Sequence, residues 1–407
     1  MLRETFGYEA FRGGQAEVIE AVLAGRDCVA VMPTGAGKSV TFQVPARVLG
    51  GTTLVVSPLI SLMQDQVGAL RRRGFAATFV SSALEADERA RRLAEMAQGR
   101  YELVYAAPEG LEGVTAEALR SADVRLIAID EAHCISQWGH DFRPSFRRLA
   151  GLRGRFPRAP VLAVTASATP LVVRDIARQL VLRDPHLHVA SFFRANLRLS
   201  CVEKPPREHV REAVTRVVLA HEGQTGIVYC LSRRSADLMA AHLEREGVAA
   251  LAYHAGLSPA ERTEVQAAFS AGRARVVTAT VAFGMGIDKA DVRFVVHRDL
   301  PAGIESYYQE IGRGGRDGDP AECVMLYSWA DVRVHDAQAR GLPPSSRRAA
   351  RRRARDAYRL ARSRSCRHRS VSAYFGERLP SCRTSCDVCL PALVRAGRGP
   401  PAGRATC

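Results

Sequence analysis

The chain has 407 residues, 47% hydrophobic and 25% charged, which suits two or three folded domains and excludes a disordered or fibrous protein. Its formal net charge of +16 points to polyanions, nucleic acid first and an acidic membrane surface second. No window reaches the roughly 18 apolar residues of a membrane span, and Met1 to Tyr8 is too polar for a signal peptide.

Residues 1–27 precede the first apolar run and contain Phe6-Gly-Tyr8 and Phe11-Arg-Gly-Gly-Gln15. The Gln15 amide either pairs with the N6/N7 edge of adenine, with Tyr8 or Arg12 flanking the base, or simply caps a surface helix. Cys28 to Met32 then predicts a buried strand, broken at Pro33, with a helix expected from Lys38. A strand, a glycine turn and a helix N-terminus in that order make an anion site. In Thr34-Gly-Ala-Gly-Lys-Ser39, Thr34, Gly35 and Gly37 shape the loop. Lys38 places a point charge on the β- and γ-phosphates of ATP, and Ser39 offers a hydroxyl to Mg²⁺. The chain has three lysines, Lys38, Lys204 and Lys289, among 58 basic residues, and one of them is here. A compact ammonium suits this place better than a planar guanidinium.

Further apolar runs alternate with helical-looking stretches such as Leu84–Gln98. Thr53–Ser57, Leu103–Ala106, Leu126–Ile129 and Val161–Val164 read as buried strands of a parallel sheet, with functional residues expected at their C-termini. Asp130-Glu-Ala-His133 stands at such an end. Asp130 is placed to hold Mg²⁺, Glu131 to activate the attacking water, and His133 to sense the phosphate site. Directly after it runs Cys134 to Pro144, where Trp138, His140, Phe142 and Arg143 either clamp single-stranded bases or pack as a core loop.

With Ser57-Pro-Leu-Ile-Ser-Leu-Met63, Tyr253-His-Ala-Gly256, Ala282-Phe-Gly-Met-Gly-Ile287 and Glu305 to Gly318, these motifs make the sequence resemble the RecQ family of superfamily-two DNA helicases over nearly all of residues 1–390. The resemblance implies an α/β architecture of two RecA-like parallel-sheet domains in tandem, followed by a small helical zinc-binding module. Residues 1–195 would form the first domain, 196–331 the second and 332–392 the module, with 393–407 a disordered tail. It implies ATP-dependent 3′-to-5′ translocation on single-stranded DNA and unwinding of partly duplex DNA in repair and recombination. The alternative is a DNA-stimulated ATPase that switches strand binding or annealing. It also makes Arg316 an arginine finger closing on ATP, supported by Arg313 and Gln309. Where the family usually has Arg, this chain has Gly110, and Gly314 stands for a usual Ala. The winged-helix domain of many members is expected to be missing.

The second domain repeats the strand rhythm at Gly226–Tyr229, Ala249–Ala252, Val276–Ala279, Phe294–His297 and Cys323–Leu326. Arg347 to Arg364 reads as a helix with arginine on several faces. Cys366, Cys382, Cys386 and Cys389 follow at spacings that suit one structural Zn²⁺, with free or redox thiols as the other reading. Family members usually have two residues between the middle cysteines; here Arg383-Thr-Ser385 intervene. Scattered buried thiols such as Cys28 and Cys230 suit the cytoplasm, and the implied DNA partner suits association with the nucleoid.

Overall fold

A computed structural model describes residues 2–81, 84–139, 141–204, 207–283 and 289–396. The chain divides into two compact units, Met1–Ser191 and Phe192–Cys407.

In the first unit, seven strands form one parallel sheet. They are β1 (Cys28–Val31), β2 (Thr52–Val56), β3 (Ala77–Val80), β4 (Leu103–Ala106), β5 (Val124–Ile129), β6 (Val161–Thr165) and β7 (His186–Val189). The spatial order is β3-β4-β2-β5-β6-β1-β7. Strands β1, β2, β4 and β6 are buried throughout, as continuous apolar runs covered on both faces should be. Val18, Ile19 and Val22 of the helix Gln15–Leu23 pack into the same core as Cys28, Ala30 and Met32. At the foot of β1 the buried Asp27 carboxylate accepts from Val161 N (2.8 Å), Arg183 N (2.7 Å) and the Arg153 guanidinium. It therefore ties the starts of β6 and β7 to β1. The expected strands are present, while β3 and β7 were not expected. Strand β7 lies at the sheet edge and alternates half-buried with exposed residues. Its His186 Nε2 and His188 Nδ1 lie 2.8 and 2.9 Å from the Glu17 carboxylate.

This order has one consequence for function. Strands β5, β6 and β1 are neighbours, and all run the same way. The segments that leave their C-terminal ends, Asp130–His133, Ala166–Ser167 and Met32–Ser39, therefore emerge side by side.

The second unit holds β8 (Leu197–Glu203), β9 (Thr225–Tyr229), β10 (Ala250–Tyr253), β11 (Val276–Ala279), β12 (Val292–His297) and β13 (Ala321–Tyr327), in the order β10-β11-β9-β12-β13-β8. All neighbours are parallel. Strand β8 is an edge, and an open edge invites pairing with other chains. Here the four-cysteine segment covers part of it. Leu199 N donates to Ser385 O and Asp387 N to Leu199 O, both at 2.9 Å. The arginine-rich helix spans Pro344–Arg362, and a second helix spans Arg367–Tyr374. Past the cysteines, Pro391–Ala396 is a 3₁₀ helix; residues 397–407 of the expected tail lie outside the described residues.

Candidate functional site

The loop after β1 is built as the sequence suggested, with one correction. The helix begins at Val40, with Ser39 as its N-cap, rather than at Lys38. Gly35 and Gly37 have φ of 86° and 75°, a left-handed backbone that a Cβ would strain. They turn the chain so that the loop hangs over the end of the sheet. The Gln15 side chain sits behind it. Its Nε2 donates to Ala36 O (2.8 Å) and Gly37 O (3.0 Å), and its Oε1 accepts from Arg12 N (2.9 Å). Arg12 adds a bond to Gly35 O at 3.0 Å. Gln15 and Arg12 thus brace the loop Thr34–Ser39, and Tyr8 lies exposed nearby in sequence, stacked on Phe6 with centroids 6.5 Å apart.

Asp130 is buried at the end of β5 and accepts from Glu131 N at 2.9 Å. Burial raises its pKa to about 7, with the Glu131 charge adding to the rise and the Lys38 ammonium opposing it. Lys38 is therefore within electrostatic reach of Asp130. The Asp130 carboxylate, with the Ser39 hydroxyl on the adjoining loop, is a donor set of hard oxygens that fits Mg²⁺. Glu131 takes a left-handed backbone (φ 49°, ψ 45°), which is costly for a non-glycine residue and sets its side chain apart from the strand direction. His133 Nδ1 lies 3.2 Å from Glu131 Oε2 and 2.9 Å from Thr165 Oγ1. Burial works against the His133 cation, whereas Cys134 and Glu131 favour it and raise its pKa. Thr165 Oγ1 in turn donates to Ser167 O at 3.3 Å. The imidazole thus joins the acidic segment to the end of β6.

The loop after His133 is held at several points. Ser136 N donates to His133 O (3.2 Å), and Arg143 N to Cys134 O (2.9 Å). Ser136 Oγ donates to the buried Asp175 carboxylate at 2.6 Å, and accepts from Trp138 N at 3.2 Å. Gly139 is required where it stands, because a Cβ there would lie 2.5 Å from His133 O. Trp138 is 52% exposed, so it is not core. Phe142 lies under the Arg147 guanidinium, 5.2 Å from the ring centroid. Arg143 turns inward, donating to Asp141 Oδ2 and to Pro58 O at 3.0 Å, and so serves the loop itself. His140 lies outside the described residues. Sequence reasoning missed Ser136 and Asp175; a serine two residues before the tryptophan was their one local signal.

In the second unit the segment Gly312–Arg316 follows the helix Ile304–Ile311. Arg313 is buried and hydrogen-bonds Tyr229, whose hydroxyl burial pushes up to about 12 despite that nearby positive charge. Arg194, which the sequence reading passed over, donates to Gly312 O (3.1 Å), Gly314 O (2.9 Å) and Gly315 O (2.6 Å). Asn196 Nδ2 adds a bond to Gly315 O at 2.8 Å. Gln309 lies on the helix just before this turn.

The sulfurs of Cys366, Cys382, Cys386 and Cys389 all lie within 4.8 Å of one another. Burial raises the Cys366 thiol. It is outweighed by the N–H groups of Arg369 and Cys382, which draw its pKa down to about 7. Cys366 is also the N-cap of the helix Arg367–Tyr374, where the dipole favours a thiolate. Arg383 takes φ 65°, and this left-handed turn lets the three-residue spacer close the four sulfurs into one cluster. Four thiol donors in a closed group fit a tetrahedral zinc site. Behind them the Arg367 guanidinium grips Asp387 through two bonds of 2.8 and 3.1 Å.

Residues 12–176 match the DEAD/DEAH box helicase pattern, residues 209–318 the helicase conserved C-terminal domain, and residues 329–390 the RecQ zinc-binding pattern. The "ATP-dependent DNA helicase RecQ" of Pasteurella multocida is 45% identical over 96% of this chain and 62% of its own length. The protein of the same name from Bacillus subtilis is 41% identical over 96% of this chain and 66% of its own. The chain belongs to the RecQ family. It spans slightly less than two thirds of the length of these RecQ relatives. Among solved structures, Mss116p bound to single-stranded RNA and AMP-PNP has a TM-score of 0.68 at 16% identity, covering 82% of this chain and 73% of that one. Mycobacterium smegmatis Lhr bound to single-stranded DNA and AMP-PNP has a TM-score of 0.62 at 23% identity, covering 82% and 48%. Both show that this RecQ chain has the two RecA-like folds. Among the described residues no helix is long and apolar enough to cross a membrane.

Proposed function

We propose that the chain is an ATP-dependent DNA helicase that moves 3′-to-5′ on single-stranded DNA and unwinds partly duplex DNA in repair and recombination. The observation that carries this is the junction at His133. Its Nδ1 hydrogen-bonds Thr165 and lies 3.2 Å from the Glu131 carboxylate, and the next residue opens a braced loop that shows Trp138 to solvent. Hydrolysis and strand contact share one short piece of chain.

On this reading the loop Thr34–Ser39 cradles the phosphates, with Lys38 on the β- and γ-phosphates. Gln15 reads adenine by exchanging its Ala36 and Gly37 bonds for the base. Mg²⁺, held by Ser39 and Asp130, supplies charge to the phosphate oxygens. Glu131 orients the attacking water and takes its proton. Arg316 is the arginine finger, with Arg313 and Gln309 in support; such a guanidinium is worth roughly 10³–10⁵ in rate. Trp138 and Phe142 stack on bases, and Cys366, Cys382, Cys386 and Cys389 hold Zn²⁺ as a structural ion.

The test is unwinding of duplexes carrying a 3′ or a 5′ single-stranded tail, run beside Glu131→Gln. The 3′-tailed substrate should be unwound and the other should not. Glu131→Gln should bind ATP without hydrolysing it. DNA-stimulated hydrolysis with neither substrate unwound would replace this reading with the strand-binding or annealing switch.

A further inference from the structure

The second tryptophan of the chain has no place in the chemistry above. Trp329 is the first residue of the helix Trp329–Gln338, capped by Ser328. It is 48% exposed. Its ring meets Tyr358 edge-on, at 5.0 Å and 70°, a contact that leaves a face of the indole open. Tyr358 belongs to the arginine-rich helix Pro344–Arg362 and carries the Arg362 guanidinium over its ring at 5.7 Å.

That helix has a strict pattern. Arg348, Arg352, Arg355, Arg359 and Arg362 follow one another at steps of four and three, so they line one face. Ala354, Ala357, Leu360 and Ala361 are buried on the opposite face. Arg355 is neutralised by Asp336 at 2.8 Å, and Arg359 by Asp356 at 3.1 Å. Among the described residues no carboxylate pairs with Arg348, Arg352 or Arg362, and all three are exposed. From Arg348 to Arg362 the helix rises about 21 Å. A row of cations of that length, ending at an open aromatic face, combines the two elements of single-strand recognition: charge for the phosphates and a platform for a base.

We propose that this face is a second binding site for single-stranded DNA, separate from the Trp138 loop, with phosphates along Arg348, Arg352 and Arg362 and a base on Trp329. The choice of DNA rests on the helicase reading above; the choice of a single strand rests on Trp329, because a paired base within a duplex offers no free face. An acidic protein surface would use the arginines and leave the indole unstacked.

The chain has two tryptophans, so in a Trp138→Phe variant Trp329 is the one remaining indole. Titrating that full-length variant with an oligothymidylate should quench its emission to saturation, and a blunt duplex of equal length should not. Adding Arg348→Ala and Arg352→Ala should lower the slope of log K against log salt, read from this signal, by about 1.4. Trp329→Ala in the wild-type background should weaken oligonucleotide binding at this face about tenfold. Emission that stays constant while a labelled oligonucleotide is seen to bind overturns the proposal, as does equal quenching by the blunt duplex. DNA-stimulated hydrolysis, measured in the unaltered protein, reports on the helicase reading: its absence there, with quenching intact in the variant, would refute that reading and leave the Trp329 site standing.

Discussion

Arg194 offers a perturbation whose size follows from the structure. Its guanidinium donates to three backbone carbonyls of the turn that carries Arg313 and Arg316. Gly315 O keeps a second donor in Asn196, so Arg194→Ala strands the other two, Gly312 O and Gly314 O. A buried acceptor left without a donor costs about 1–3 kcal/mol, giving about 2–6 kcal/mol for the pair. In a unit of this size that corresponds to a fall in melting temperature on the order of 10 °C, unless the turn moves to meet water. If it moves, Arg316, the proposed finger, moves with it, and a displacement of about 1 Å costs roughly 10²-fold in rate. We therefore expect kcat for DNA-stimulated ATP hydrolysis to drop about 10²-fold. KM for ATP should be nearly unchanged, because the phosphate loop belongs to the other unit. Arg194→Lys, which returns one donor group without the fork, should recover only part of the loss. The paired measurements are steady-state hydrolysis and thermal unfolding. An alanine variant with wild-type kcat and wild-type melting would refute the positioning role outright.

Trp138→Ala should keep basal hydrolysis and lose most of its stimulation by single-stranded DNA; loss of basal activity would show that the ring supports the loop instead. Cys382→Ser should lower zinc content, soluble yield and thermal stability together, since Cys382 N and its sulfur both meet Cys366 and the cluster is pinned to β8. Metal analysis that returns no zinc for the unaltered protein would remove that expectation. Gly110→Arg should strengthen single-strand binding several-fold and steepen its salt dependence by about 0.7. A side chain has room there, the nearest atom to a built Cβ being Val80 O at 4.0 Å. Unchanged affinity at low salt would mean that this position does not face the strand.

What was legible in the sequence was what depends on local pattern. Continuous apolar runs gave the buried strands, and the loop after β1, the acids after β5 and the cysteine spacing were plain. Strand β7 was hidden because an edge strand carries histidines and alternates with solvent. Strand β8 was hidden for a different reason. Its Leu197, Arg198 and Leu199 show no continuous run, and part of its outer edge is satisfied by Ser385 and Asp387, nearly two hundred residues later. Arg194 was invisible because one arginine in so arginine-rich a chain carries no signal until its three carbonyl partners are seen. The arginine face of Pro344–Arg362 is the opposite case. Its four-and-three spacing is present in the sequence, and only the buried alanines show which side faces out.

The loop that follows His133 bears on how a strand could act on the hydrolysis site at all. A floppy loop would absorb a pull on Trp138 by changing its own shape. This one is closed at its base by the bond from Arg143 N to Cys134 O and pinned by Gly139 against His133 O. It is also anchored through Ser136 to Asp175 on the helix Pro170–Gln179. The Asp175 carboxyl is held below its usual range: burial raises it, but hydrogen bonds from Ser136, Arg178 and Gln179 outweigh that rise. The anchor is therefore charged at neutral pH and its bond to Ser136 is strong. A force on the exposed indole then has few internal motions to relax into. On the proposed reading it is passed to His133, and from there to Glu131 and Thr165. Cutting the anchor should separate the two activities. Ser136→Ala should leave single-strand binding and basal hydrolysis near their starting levels and reduce the stimulation that links them. Full stimulation in that variant would show that the closed base alone makes the loop stiff enough.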